Sequence, residues 1–278
     1  MARQIVEAET ALDGAAHRTA QLLRGGLDPG ARVPGLSWSV AETAAHLAAD
    51  LREHAALATG AHPPPTVTMS SGDGGNGGNA AQRGAAANRA QLDAFAERDL
   101  TLLADLIEEA AAGLNAAVAH LPAEDPIVTA NGVEMTPPTL VSICLGEQLI
   151  HGLDLARSAG RPWPIDRSDA LRVIPGILAL APDYVNQEAA NGVHVDYELR
   201  FGPEDRYRLA VDGGRVTVGP AGNRPDHPDC IITADPAAFL LVGYGRVGQW
   251  SQILRGKLRA GGRRPWLALR FSSLLLRP

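Results

Sequence analysis

The chain has 278 residues, 25 basic and 31 acidic side chains, a net charge of −6 and a pI near 5.7. That balance argues against nucleic acid as a partner, because such binders carry net positive charge or a clear basic stripe. Hydrophobic residues at 45% and charged residues at 20% describe a globular, not a disordered, chain, and at about 100–200 residues per domain the length predicts two domains.

Cys144 and Cys230 form no CxxC, which excludes thiolate zinc fingers and thioredoxin-type motifs. So few cysteines point to a reducing compartment, and a cytoplasmic location is expected. The opening MARQIVEAETALDG has no apolar signal core, and no run of about 18 apolar residues occurs, so neither export nor a membrane partner is expected. Lys257 is the single lysine, so 24 of the 25 basic residues are Arg. With abundant Ala and Gly, this usage points to a GC-rich genome.

In chain order, residues 2–23 carry Ile5, Leu12, Ala16, Leu22 and Leu23 as a rough helical stripe that Gly25 and Gly26 stop. Ser39-Val40-Ala41-Glu42 fits a capping box and opens a second helix to about Ala58. The triple proline 63–65 and the Gly-rich segment 70–79 read as a linker or lid, because they cannot bury a core. A long third helix is predicted over residues 85–121, with Leu92, Phe95, Leu103, Leu106, Ile107, Leu114 and Val118 inside. Thr136 and Pro137 open a fourth helix that Gly160 ends. Four such helices predict an up-down bundle. Residues 166–185 read as a connecting helix. The period then changes: HVDYELRF, RYRLAVD, RVTVG and DCIITAD alternate as strands, with a hairpin turn at Asp212-Gly213-Gly214. ILRGKLRAGG and PWLALRFSSLL follow as helical or mixed segments. The expected fold class is α+β, with a bundle over 1–165, a connector over 166–189 and a small α+β domain over 190–278.

The fourth helix carries the chemistry. At 100° per residue from Leu140, the positions Cys144, Glu147, His151, Asp154 and Ser158 fall within about 40° of one line. Leu145, Leu149 and Leu153 cover the opposite side, so the helix has hardly any water-facing stripe and is expected to be buried. Buried carboxylates need partners. Glu147 and His151, at i and i+4, can share one cation, about 2.0–2.2 Å from each ligand atom if it is zinc. A third ligand must come from another helix. His46 is a candidate on the second helix, but His54 lies nearer that helix's apolar stripe, and the wheel does not choose between them. Asp154 is placed to orient a ligand.

Blander readings exist for each residue. A Glu–His pair at this spacing is commonly a plain hydrogen bond, and Glu42, which bears the same spacing to His46, is used by the capping box. Cys144 reads as a small core residue. His62, His120, His194 and His227 fall in predicted loops or termini and read as solvated. The Gly-rich segment lacks the G-K-[ST] of a phosphate loop.

WSVAETAAHLAADL (residues 38–51) resembles the W-[ST]-V-x-[DE]-x-x-x-H-L segment of the DinB-like, mycothiol-dependent maleylpyruvate isomerase family. GEQLIHGLDLARSAGRPW (146–163) resembles its E-x-x-x-H-x-x-D helix. Residues 235–275 resemble the sterol-carrier-like domain that often follows the bundle. The resemblance implies a divalent metal, usually zinc, held by His46, Glu147 and His151, which decides against His54. It further implies an essential arginine early in the third helix, matched best by Arg89, with Arg83 as the fallback for substrate or thiol binding. Mycothiol is implied as co-substrate or cofactor, an actinobacterial source as context, and a small electrophilic metabolite as the other partner of a monomer or small homo-oligomer. Three protein ligands leave a coordination position open. A thiol of pKa about 8.5 would be deprotonated there. The metal-bound thiolate would add to an electrophilic carbon, with the arginine holding a carboxylate or oxyanion. An isomerase releases the thiol unchanged and an S-transferase keeps the C–S bond. The Gly-rich segment departs from the family pattern and favours S-transfer. Two other readings share these residues: a non-catalytic hydrophobic-ligand carrier with a degenerate bundle, and a non-haem iron enzyme, since two His and a carboxylate also suit Fe(II).

Overall fold

The computed structural model describes residues 2–61, 79–129, 132–222 and 227–277. His62, the triple proline 63–65 and the Gly-rich segment up to residue 78 lie outside them. The Ala-rich first segment forms α1 (Ala2–Arg24), and α2 (Val40–Ala58) follows. The capping box closes as predicted: Glu42 N–H donates to Ser39 Oγ at 3.2 Å and Ser39 N–H donates to Glu42 Oε2 at 2.7 Å. This satisfies backbone donors that a helix start leaves free.

The long third helix predicted over residues 85–121 is two helices, α3 (Ala80–Ala94) and α4 (Leu100–Val118). Caps break it. Asp99 Oδ1 accepts from Thr101 N–H at 2.8 Å and Leu102 N–H at 3.0 Å, starting α4. The Arg98 guanidinium donates to the carbonyls of Phe95, Glu97 and Leu92, closing the end of α3. Apolar periodicity runs through such a break unmarked, and Asp99 was the available signal.

Two short strands, β1 (Ile127–Val128) and β2 (Glu134–Met135), pair antiparallel ahead of α5 (Pro137–Ser158). The start of α5 is as predicted, with Thr136 accepting from Thr139 N–H. In the bundle α4 packs on both α1 and α2, and α5 packs on the same two, giving the ring order α1–α4–α2–α5. Leu12, Leu23, Leu47, Leu51, Leu103, Ile107, Leu114, Leu140, Leu145 and Leu149 are fully buried between them, each contributing about 1.5–3 kcal/mol of transfer free energy.

The described residues group into two compact units, one up to residue 165 and one from 166 onward, with 79–81 counted in the latter. In the second unit α6 (Arg167–Leu180) and α7 (Gln187–Ala190) precede the sheet. α6 ends earlier than predicted: Ala181 still has helical angles, φ −54° and ψ −35°, but Pro182 has no N–H with which to continue the hydrogen-bond ladder. The sheet is β5-β4-β3-β6-β7, built from β3 (His194–Arg200), β4 (Arg206–Asp212), β5 (Arg215–Pro220), β6 (Cys230–Ala234) and β7 (Leu258–Gly261). All pairs are antiparallel except β3–β6. Gly213 and Gly214 both have positive φ, +56° and +90°, as the tight β4–β5 turn requires. His194 begins β3, as the HVDYELRF alternation predicts, and is exposed and paired with Asp212. Helices α8 (Pro236–Gly243), α9 (Gln249–Leu254) and α10 (Ala268–Leu274) complete an α+β unit. Tyr197, Phe201, Phe239 and Phe271 form its aromatic core.

Candidate metal centre

The all-round apolar character of α5 buries it, and its polar line meets α2. His151 Nε2 lies 3.2 Å and His46 Nε2 lies 3.6 Å from the same oxygen, Glu147 Oε2. All three ligand atoms lie within 4.8 Å of one another. Both histidines are buried, and the rings meet edge to face at 5.3 Å between centroids. Trp38, just before the capping box, packs its ring 4.9 Å from His46 and 6.1 Å from His151, walling the cluster.

His46 is held from behind. The Gln91 amide donates to Glu53 Oε2 at 3.0 Å, which turns its Oε1 toward His46 Nδ1 at 3.1 Å. An acceptor there requires the proton on Nδ1. The lone pair of His46 is therefore on Nε2, which is buried and has no hydrogen-bond partner. His151 Nδ1 lies 3.2 Å from Asp154 Oδ2, within ion-pair range. Burial disfavours the charged form of Glu147, yet pairing with His151 outweighs it and holds the carboxyl far below the usual range. Burial likewise lowers His151, but Asp154 and Glu147 overcome it and push its pKa up to about 9.

The donor set fits a divalent cation. Ligands about 2.0–2.2 Å from a tetrahedral ion lie about 3.3–3.6 Å apart; the 3.6 Å separation falls in that range and the 3.2 Å separation just below it. A cation also answers the otherwise unpartnered lone pair of His46.

Comparison with known proteins gives the family. The sequence model described as the mycothiol maleylpyruvate isomerase N-terminal domain matches residues 10–156. The chain belongs to that family. Among solved structures it is similar to the mycothiol-dependent maleylpyruvate isomerase at 16% identity, with 92% of each chain covered and a TM-score of 0.54. A histidine-to-alanine mutant of that enzyme matches at 15% identity, with 92% of each chain covered and a TM-score of 0.52. At this identity the likeness speaks for the fold. A sequence search of curated proteins finds no match.

In this mycothiol maleylpyruvate isomerase family member, the structure brings together His46, Glu147, His151 and Asp154. His54 stands apart from them, about two turns further along α2, with Asp50 and Cys144. Arg89 and Arg83 lie on α3 outside the cluster, Arg89 exposed and Arg83 half-buried. Gln91 marks the side of α3 that faces the cluster. At 100° per residue Arg83 lies about 80° from it and Arg89 about 200°. Arg89 does reach Glu42 electrostatically, together with Arg98, and helps hold its pKa low. Sequence reasoning missed Gln91, which carries no local signal because its partner is 45 positions away. It also read Trp38 only as part of a motif. Among the described residues no helix is long and apolar enough to cross a membrane.

Proposed function

We propose that the protein is a metal- and mycothiol-dependent enzyme that adds a thiol to a small electrophilic metabolite, as an isomerase or S-transferase. The carrying observation is the convergence of two buried imidazole nitrogens on Glu147 Oε2, with the His46 lone pair aimed inward and unanswered. His46, Glu147 and His151 would hold the ion, most simply zinc. A divalent cation supplies the charge that makes a thiol a thiolate at neutral pH. Gln91 and Asp154 fix the tautomer and angle of their histidines. Trp38 excludes water from one side. On α3, Arg83 is better phased than Arg89 to hold a substrate carboxylate by paired N–H donors. The resemblance of the tail supports a sterol-carrier-like role for residues 190–278.

The test is metal analysis combined with turnover of maleylpyruvate and thiol-reactive electrophiles in the presence and absence of mycothiol. Wild type should hold one more equivalent of metal than His151→Ala, and only wild type should show thiol-dependent turnover. Recovery of the thiol unchanged identifies an isomerase; a stable thioether identifies a transferase. Equal metal content in the two proteins, or turnover indifferent to mycothiol, overturns the proposal.

A further inference from the structure

One turn along the α2–α5 contact, a second set of donors meets. His54 Nδ1 lies 3.3 Å from Asp50 Oδ2 and 3.6 Å from Cys144 Sγ. All three donor atoms fall within 4.8 Å of one another. Asp50 and His54 are at i and i+4 on α2, and an ion pair between them needs nothing from α5. Yet α5 delivers the sulfur of a fully buried cysteine to the same ring nitrogen.

We propose that Asp50, His54 and Cys144 form a second cation site, for a borderline-soft divalent ion of the zinc class bound through a thiolate. It does not depend on the function proposed above.

Three arguments carry it. The first is distance. With nitrogen and oxygen about 2.0–2.2 Å and sulfur about 2.3 Å from a tetrahedral ion, the N–O edge is about 3.4 Å and the N–S edge about 3.6 Å. The observed separations are 3.3 and 3.6 Å. The 3.3 Å N–O edge is long for an N–H···O bond, whereas the 3.6 Å N–S edge is also an ordinary hydrogen-bond distance for sulfur. The second is charge. Asp50 and a Cys144 thiolate carry two negative charges, which neutralise a divalent ion, and His54 binds as a neutral ligand. The buried site is then uncharged overall, as a low-dielectric interior favours. The third is donor chemistry and access. Sulfur, imidazole and carboxylate together suit zinc, and the Asp50 side chain is 15% exposed, so solvent reaches one edge of the site.

Without an ion, burial acts to lower the His54 pKa, but the Asp50 carboxylate and Cys144 raise it well above the usual value. Burial also raises the thiol of Cys144. Binding therefore displaces two protons to water, one from the imidazolium Nδ1 and one from the thiol. No electron is transferred.

Cobalt(II) titration of the full-length metal-free chain tests this, because only a thiolate ligand produces a near-ultraviolet sulfur-to-cobalt charge-transfer band. The band is expected in wild type, in His151→Ala and in Cys230→Ser, and it should vanish in Cys144→Ser. Asp50→Asn keeps the side-chain shape and should weaken binding about 10- to 100-fold by the same band, which covers the case in which Cys144→Ser does not fold. A folded wild type without the band, a band that survives Cys144→Ser, or unchanged cobalt affinity in Asp50→Asn overturns the second site. The equivalent lost in His151→Ala reports on the other cluster alone, so the two proposals fail separately.

Discussion

Glu147 in the bundle and Glu198 in the sheet are both largely buried carboxylates, but they face opposite kinds of partner. Glu198, 3% exposed, accepts from Arg200 Nε at 2.8 Å and Arg206 Nε at 2.7 Å through one oxygen. Burial pushes its pKa up, and the two guanidinium groups more than reverse the shift. Guanidinium stays charged at any ordinary pH and has no lone pair to offer, so Glu198 is neutralised permanently. Glu147 has imidazoles in place of guanidinium groups. An imidazole can give up its proton and present a nitrogen lone pair, so the same carboxylate can exchange protons for a cation. Burial of an acidic group therefore does not by itself mark a functional site; the replaceability of its partners does.

The largest expected effect separates the two. His151→Ala should abolish tight metal binding in the bundle cluster, whereas Glu198→Gln should leave metal content unchanged, both read by elemental analysis of purified protein. Metal loss in Glu198→Gln would break the contrast. Next is Gln91→Leu, which frees the His46 tautomer and should weaken zinc about 10- to 100-fold, measured by competition with a chromophoric chelator. Unchanged affinity would remove Gln91 from the account. Behind His151, a Cβ at Gly152 would sit 2.1 Å from the Trp163 ring. That ring is pinned by its N–H to Leu149 O at 2.9 Å and by the Arg18 guanidinium 4.2 Å from its centroid. Gly152→Ala should cost about 1–3 kcal/mol by overpacking, seen as a lower denaturation midpoint.

The last contrast lies in pH. In the metal-free chain the raised His151 pKa contributes stability that is complete below the unfolded value of about 6.5. It is lost as pH rises through about 9. Metal needs the neutral ring, so zinc affinity should rise over that same window. Glu198 has the opposite sign: its depressed pKa contributes stability above the unfolded value of about 4.3, lost as pH falls through the folded value. Arg200 and Arg206 are 38% and 35% exposed, so solvent screening keeps that contribution small. Urea midpoints across the pH range should show both limbs, and Glu198→Gln should flatten only the acidic one. An acidic limb unaltered in that variant would assign it to other groups.

Much of the helical unit was legible because its signals are local. The Ser39 and Thr136 caps, the stop at Gly160 and the 3.6-residue period of α5 each act within a turn or two. The break between α3 and α4 was not legible from periodicity, because both helices keep their apolar residues in phase while Arg98 and Asp99 divide them. Strands β3 to β6 could be read from alternation, but the parallel pairing of β3 with β6 could not, since β4 and β5 intervene.

Local sequence by itself determined that Glu147, His151 and Asp154 share one buried line, because helical spacing and the lack of a wet face on α5 require it. Which histidine of α2 would meet that line was decided by tertiary structure. The register of α2 against α5 puts His46 opposite Glu147 and His54 opposite Cys144, so the two helices run antiparallel there. Register arises from the packing of whole faces, Leu47 and Leu51 among them, and no spacing within either helix encodes it.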